Sequence, residues 1–370
     1  MTEELARMPQ GRVVSIDVLR GFDMFWIIGG AEFVRAVVEY ADIPWLMPLT
    51  RQFSHSDWNG FTFYDLIFPL FLFIVGVSMP FAISRRLERG DSRRQLYLHV
   101  FQRFVTLLFL GFIYNGLLDF DFSHFRYTGV LHRIAVCYLL TALIVMNTGI
   151  RGQALTGVVI LLFYWAIMKL VPVPGFGAGV LTPEGNLSAF ADQRLLPGAF
   201  CCYKYGDNEG ILSTIPAVAT TLMGVLAGHW LRTGNPGAGK ALKLAVAGGA
   251  SLVLALVWSP AFPINKLVWT SSYVLFAGGL SLLLLALFYW IIDVRGYRKW
   301  TLFFVVIGLN PITIYVVQSQ FDFNLVSNIF IRGFIGHLGT FRPVTETACY
   351  ILFGWLFLYF LYRKKIFLKA

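Results

Sequence analysis

The sequence predicts an all-α fold, a polytopic bundle of membrane-spanning helices forming one domain over residues 1–370. Three observations carry this prediction. Hydrophobic residues make up 57% of the chain and charged residues only 14%, with a mean hydropathy of +0.67, against roughly 45–50% and about 25% in soluble domains. Apolar stretches near the ~20 residues that cross a bilayer recur along the whole chain. Lys and Arg also fall unequally on the two sides of those stretches. With 35 Phe and 10 Trp, this excludes a disordered chain, a disulfide scaffold and almost any soluble enzyme. The net charge of +10 then belongs to membrane topology and not to nucleic-acid binding.

Ten spans are predicted, at residues 14–38, 62–84, 96–117, 128–147, 153–171, 211–231, 241–258, 267–291, 299–318 and 345–363. The stretch 321–341 carries Asp322, Arg332 and His337 and reads as an amphipathic or re-entrant element, or as an eleventh span. Segment 172–210, rich in Pro and Gly, reads as an extracytoplasmic loop insertion. With the N-terminus in the cytoplasm, that side collects eighteen Lys and Arg side chains, among them Arg85, Arg86, Arg89, Arg93 and Arg94. The other side holds seven: Arg51, Arg126, Arg194, Lys204, Lys266, Arg332 and Arg342. Both termini are therefore expected in the cytoplasm, and loops 39–61 and 172–210 outside it. The N-terminal MTEELARMPQGR is polar and acidic, unlike a cleavable signal peptide. TGNPGAGK at 233–240 lacks the Gly-x4-Gly-Lys-Ser/Thr spacing of a phosphate-binding loop and reads as a turn. The cysteines (Cys137, Cys201, Cys202 and Cys349) show no metal-ligand spacing, so no metal is expected. Adjacent Cys201 and Cys202 would bridge only with strain, so the sequence supports no disulfide assignment.

A charge at mid-bilayer costs roughly 2.5–3.5 kcal/mol on insertion scales, so each one needs a partner or a wet cavity. Asp17 and Arg20 share one face of the first span, where they form either an anchoring ion pair or, through Arg20, a contact to an anionic cofactor. Arg103 lies at similar depth in the third span, beside the basic loop that begins at Arg85 and Arg86. Guanidinium forks in such an array suit phosphates. A second polar set gathers at the opposite face: His55, Asp57, Trp58, Asn59 and Asp65 within eleven residues, Arg133 and His132, Asn115, and Asp207-Asn208-Glu209. An imidazole with a carboxylate to orient it suits general acid–base work. Asp65 with Arg133 would form an intramembrane ion pair, and the acidic block at 207–209 would equally suit a helix start.

SIDVLRGFDMFWIIGG followed by SHSDWNGFTFYDLIFPLFLFIVGVSMPFAI resembles the opening of the heparan-α-glucosaminide N-acetyltransferase family, in the transmembrane acyltransferase superfamily, which has NagX-like bacterial members. VLHRIAVCYLL, DNEGILSTIPAVATTLMGVLAG, PINKLVWTSSYVL and GLNPITIYVVQ follow in the family's order, so the resemblance covers nearly the whole chain. It implies an acyltransferase of a bacterial inner membrane that takes acetyl-CoA on the cytoplasmic side and acetylates an amino sugar on the other. The family's functional histidine falls on His55, in His55-Ser56-Asp57-Trp58-Asn59-Gly60. His55, Asp65 and Asn59 are then the expected catalytic residues, with His55 as base for the acceptor amine or as transient acetyl carrier. Trp58, Asp57, Asp207, Glu209 and Arg133 would hold the acceptor, and Arg20, Arg103, Arg85 and Arg86 the CoA. The resemblance also implies a homodimer.

This chain departs from the family pattern in three places. IIGGAEF has no Asn near the glycines ending the first span, so that contact is absent or taken by Glu32. His132 stands where many members have Gln. The large luminal N-terminal region of the lysosomal member has no counterpart in these residues. The departures leave the acceptor open, with O-acetylation of a cell-envelope glycan as the nearest alternative. A permease for a sugar or anionic solute is the alternative from another class. The absence of a repeat between the two halves of the chain counts against it.

Overall fold

The computed structural model describes residues 13–234, 237–333 and 335–368. The acidic N-terminal segment with Arg7 and Arg12, the centre of the TGNPGAGK turn, and Lys369 lie outside the described residues.

The predicted first span, 14–38, is not one rod. It comprises α1 (Val14–Phe25), a π-turn (Trp26–Gly30) and α2 (Ala31–Ala41). Ile28 and Gly29 leave helical geometry, Gly29 with φ +122°, a conformation open to glycine and strained for other residues. After the short α3 (Met47–Gln52) come α4 (Phe63–Glu88), α5 (Arg93–Tyr114), α6 (Val130–Asn147) and α7 (Ile150–Leu170). Segment 172–210 is more ordered than a plain loop. It holds hairpin β1–β2 (Pro172–Val173, Gly177–Ala178), α8 (Leu187–Leu195) and hairpin β3–β4 (Cys202–Tyr203, Gly206–Asp207). Then follow α9 (Ile211–Arg232), α10 (Ala238–Trp258), α11 (Ser271–Tyr289), α12 (Thr301–Leu309), α13 (Pro311–Gln320), α14 (Phe323–Ile331) and α15 (Arg342–Arg363).

Among the described residues, eight helices are long and apolar enough to cross a membrane: α4 to α7, α9, α10, α11 with its π-helical end, and α15 with the turn before it. The predicted span 299–318 is a helix pair, α12 and α13, bent by 69°. Pro311 follows Asn310, which sits at φ −131°, ψ 46°. A proline there offers no N–H and breaks the ladder. Within 321–341 the longest helix is the nine-residue α14, too short to span by itself.

Burial sorts these helices into two layers. In α4 and α9, 72% and 67% of the most apolar window is buried within the protein, against 22% for α5 and α7. The former pair is the centre of the bundle, and the latter turns apolar side chains such as Phe101, Phe109, Leu155 and Val158 outward. Glycine makes the central contact. A Cβ on Gly76 of α4 would drive into the Thr221 carbonyl of α9, and one on Gly224 into the Phe73 carbonyl. Small residues let membrane helices approach to backbone contact. Gly21 of α1 and Gly308 of α12 repeat the arrangement against Phe304 and Asp17. Gly224→Leu is therefore expected to destabilise the protein by ~1–3 kcal/mol or more through overpacking. Thermal unfolding in detergent measures this, and an unchanged midpoint would contradict the packing.

Candidate active site

The start of α4 builds the centre of the site. Thr62 precedes the helix in extended conformation, and Asp65, three residues on, folds its carboxylate back over it. Asp65 Oδ2 accepts the N–H groups of Thr62 (3.1 Å) and Ser56 (3.2 Å), a capping arrangement that satisfies donors at the helix start. The Tyr273 hydroxyl donates to the Asp65 carbonyl at 2.7 Å. With Oδ2 held, Oδ1 lies 2.8 Å from His55 Nδ1. The imidazole is half exposed and the carboxylate buried. A carboxylate at this distance takes the N–H of the neutral ring at Nδ1 and leaves the Nε2 lone pair free.

A third group joins them that the sequence reading counted only as one of seven outward cations. Lys266, at the base of loop 259–270, places Nζ 2.9 Å from His55 Nδ1, 3.4 Å from His55 Nε2 and 3.4 Å from Asp65 Oδ1. Burial pulls its pKa down, against the opposing pull of Asp65. The loop is fastened to the histidine loop at two further points. Gly60 N–H donates to the Ile264 carbonyl at 2.9 Å, and Asn265 Nδ2 to Asn59 Oδ1 at 3.1 Å. The available signal for Lys266 was its position, a lone lysine in PINKLVW between two strongly apolar spans.

These residues open on a cavity of about 380 Å³ lined by His55, Tyr64, Lys266, Tyr114, Arg126 and Glu209, with apolar walls from α1, α4, α6 and α13. Arg126 is its second charged anchor. Asn115 holds its backbone by donating to the carbonyls of Arg126 (2.7 Å) and Thr128 (2.6 Å). The guanidinium binds Asp207 through two contacts, at 2.7 and 2.6 Å, reaches Asn208 Oδ1 at 3.1 Å and pairs with Glu209. Burial lowers the Arg126 pKa, but the carboxylates outweigh it and raise it; burial raises that of Asp207, but the Arg126 guanidinium outweighs it and holds the carboxyl below the usual range. Arg126 likewise entered the sequence reading only as one of those seven cations, because nothing local marks the role of a loop arginine eighty residues from its partners.

The sequence-predicted residues divide accordingly. His55 and Asp65 meet, and Glu209 reaches the cavity. Asp207 is fully buried under Arg126. Trp58 packs on Tyr203 and donates to the Leu181 carbonyl at 2.9 Å, away from the cavity wall. Asn59 ties two loops together, and Asp57 is exposed beside the histidine. The expected Asp65–Arg133 pair is corrected. Asp65 takes His55 and Lys266, whereas Arg133 lies buried over the Trp269 ring (4.7 Å) with its Nη2 on Ser213. The sequence left the cysteines unassigned. Cys201 and Cys202 are joined, with Cα atoms 3.7 Å apart and Cys202 at φ +78° where β3 begins, and both line the cavity. His132 is buried, and neither ring nitrogen has a hydrogen-bond partner among the described residues.

Beneath the hairpin, Asp192 accepts the N–H groups of Asp207 (3.2 Å) and Ile211 (3.0 Å), and burial pushes its carboxyl up to about 6. A folded pKa above the ordinary 3.8 means that the folded state holds the proton through that window and loses stability as pH rises across it. The difference in Tm, Asp192→Asn minus wild type, is therefore expected to grow by a few degrees between about pH 4 and pH 7. A flat difference would contradict it.

A second cavity, about 320 Å³, opens at the other end of α4 and α5, lined by Arg20, Ser78, Arg86, His99, Arg103 and Tyr138 among others. Arg20 donates to Ser78 Oγ (2.6 Å) and the Gly308 carbonyl (3.3 Å), and meets Asp17 at 3.4 Å. Arg103 lies over the Tyr138 ring (4.5 Å), and its buried Nε has no hydrogen-bond partner among the described residues. Arg86 is paired with Asp91 (2.9 Å), and Arg85 is exposed outside the lining. From Tyr64 to Arg86 α4 advances 22 residues, roughly 33 Å at 1.5 Å per residue, close to the ~30 Å of a bilayer core. Phe71, Ile134 and Ile312 line both cavities.

Fold and site together define a multi-pass membrane protein whose bundle encloses a histidine–carboxylate pair at one end and an arginine-lined cavity at the other. Comparison with known proteins points the same way. The chain is similar to the heparan-α-glucosaminide N-acetyltransferase of Homo sapiens, 27% identical over 433 aligned positions that take in all of this chain and 61% of the human protein. It is 28% identical to that of Mus musculus over 378 positions, 86% of this chain and 56% of the mouse protein. It thus spans about three fifths of the length of the curated relatives it matches. Residues 12–167 match the family described as "Domain of unknown function (DUF5009)". The family resemblance carried by the motifs is borne out along most of the chain.

Proposed function

We propose that the protein is a membrane-embedded acyltransferase. It moves acetyl from acetyl-CoA, taken up on the cytoplasmic side of a bacterial inner membrane, to a glucosamine-type amino sugar or related saccharide on the periplasmic side. The observation that carries this reading is the pairing of His55 with Asp65 in a cavity that meets an arginine-lined one through Phe71, Ile134 and Ile312. The basic cavity, with Arg20, Arg86 and Arg103, whose Nε has no partner among the described residues, fits the phosphates of CoA. The excess of Lys and Arg on its side of the membrane supports a cytoplasmic donor.

In the proposed reaction the acceptor amine attacks the thioester carbonyl. The C–N bond forms, His55 Nε2 removes the amine proton, the C–S bond breaks and CoA leaves as the thiolate. Asp65 holds the ring and stabilises the imidazolium that results. If Nε2 instead carries the acetyl group, protein without acceptor takes up one acetyl equivalent in a single turnover.

Purified protein in detergent, given acetyl-CoA and glucosamine, is expected to release CoA thiol in an acceptor-dependent manner. Binding of acetyl-CoA without turnover would point to a different acceptor. Absence of binding would overturn the acyltransferase reading and favour a permease, which moves intact solute and consumes no acetyl-CoA.

A further inference from the structure

Lys266 is the charged group of the site that the proposed reaction leaves unused. It is 7% exposed, and its ammonium stands beside a titratable ring. Its two distances to that ring, 2.9 Å to Nδ1 and 3.4 Å to Nε2, are nearly equal. An ammonium in line with the Nδ1 lone pair would stand much farther from Nε2 than from Nδ1. Nζ therefore lies over the face of the imidazole, and the in-plane partner of Nδ1 is Asp65 Oδ1 at 2.8 Å.

The two charges act on the ring in opposite senses. A carboxylate within ~4–6 Å favours the charged form of an imidazole, and a cation at that distance disfavours it. Asp65 favours the imidazolium form, which has no lone pair and can neither accept a proton nor carry an acyl group. The other groups that face it leave this opposition in place. Tyr64 packs its ring 4.9 Å from that of His55, and Tyr114 and Tyr315 line the same cavity. Across the cavity, Arg126 faces both Glu209 and Asp207, so that cluster keeps one net negative charge, which acts in the same sense as Asp65 and leaves Lys266 as the opposing cation. Asp57, on the same loop, is exposed to solvent, where its field is screened.

We propose that Lys266 is a positioning residue for His55, its ammonium over the ring opposing the protonation that Asp65 favours and so keeping Nε2 available to the cavity. The rate consequences rest on the acyl-transfer reading, and the electrostatic claim does not. It is therefore tested first on the ring itself. In full-length protein with labelled histidine, the His55 resonance is assigned among the six histidines by its loss in His55→Gln. Its titration midpoint is expected to move up by about one pH unit in Lys266→Met and to stay near wild type in Lys266→Arg. If Lys266→Met does not fold, Asp65→Asn supplies the opposite arm, with a midpoint below that of wild type. A midpoint unmoved in Lys266→Met, or raised in Asp65→Asn, overturns the proposal whatever the enzyme assay gives.

Where turnover is measurable, the acid limb of the rate profile of Lys266→Met is expected to shift upward with the resonance. Roughly tenfold is lost near pH 6 and recovered at higher pH. A uniform loss at every pH would identify a merely structural lysine.

Discussion

His55→Ala is expected to abolish acceptor-dependent CoA release, with a loss on the order of 10³-fold or more, while acetyl-CoA binding and thermal stability stay close to wild type. The size follows from what the imidazole supplies. A positioned general base contributes typically ~10²–10⁴-fold, and a nucleophile that carries the acyl group contributes at least as much. The specificity of the effect follows from exposure. The His55 side chain is 53% exposed and its loss opens no core cavity, so the variant folds, and the arginine-lined cavity beyond Phe71 and Ile134 is untouched. Asp65→Asn is expected to cost less in rate and more in stability. An amide still lies beside Nδ1 but no longer stabilises imidazolium, and the carboxylate that accepts the Thr62 and Ser56 N–H groups is replaced. CoA release together with unfolding midpoints measures both. Turnover in His55→Ala within tenfold of wild type would move the chemistry to another group and sink the assignment.

The fold was legible in the sequence where a single physical signal dominates. Long apolar runs gave the rods α4 to α7 and α9 to α11, because hydrocarbon solvation acts on each segment independently. It failed where local backbone chemistry interrupts a run of unchanged hydropathy. Gly29 and Pro311 break the predicted spans 14–38 and 299–318, and neither break alters the mean apolarity of its window. The site divides in the same way. His55 and Asp65 lie ten residues apart, and a capping turn brings them together, so pattern alone exposes the pair. Lys266 and Arg126 reach the cavity from loops that are distant in sequence, and their roles exist only after folding. Arg133 shows the converse error. A buried cation near a buried carboxylate invites pairing on paper, yet the chain gives Asp65 a nearer lysine and leaves Arg133 on an indole face and a serine.

The shared wall between the two cavities yields the second large effect. Donor and acceptor approach from opposite sides of a bilayer only if the thioester passes the constriction lined by Phe71, Ile134 and Ile312. Ile134 sits on α6 one turn from Val130 and Leu131, with 3% of its surface exposed, and Ile312 opens α13 just after the break at Asn310. Ile312→Trp, which adds bulk beside a backbone break where the helix end can yield, is expected to keep the fold and the binding of CoA at the arginine end. Acyl transfer should nevertheless fall by at least ~10²-fold, because displacing the reacting carbonyl by about 1 Å already costs that much. Replacement by a smaller side chain, Ile312→Ala, should leave transfer near wild type and admit longer acyl donors. CoA affinity by calorimetry, set beside the rates with acetyl and propionyl donors, distinguishes a blocked passage from a damaged binding site. Loss of CoA binding in Ile312→Trp, or unaltered transfer, would show that the two cavities are separate and that donor and acceptor meet by another route.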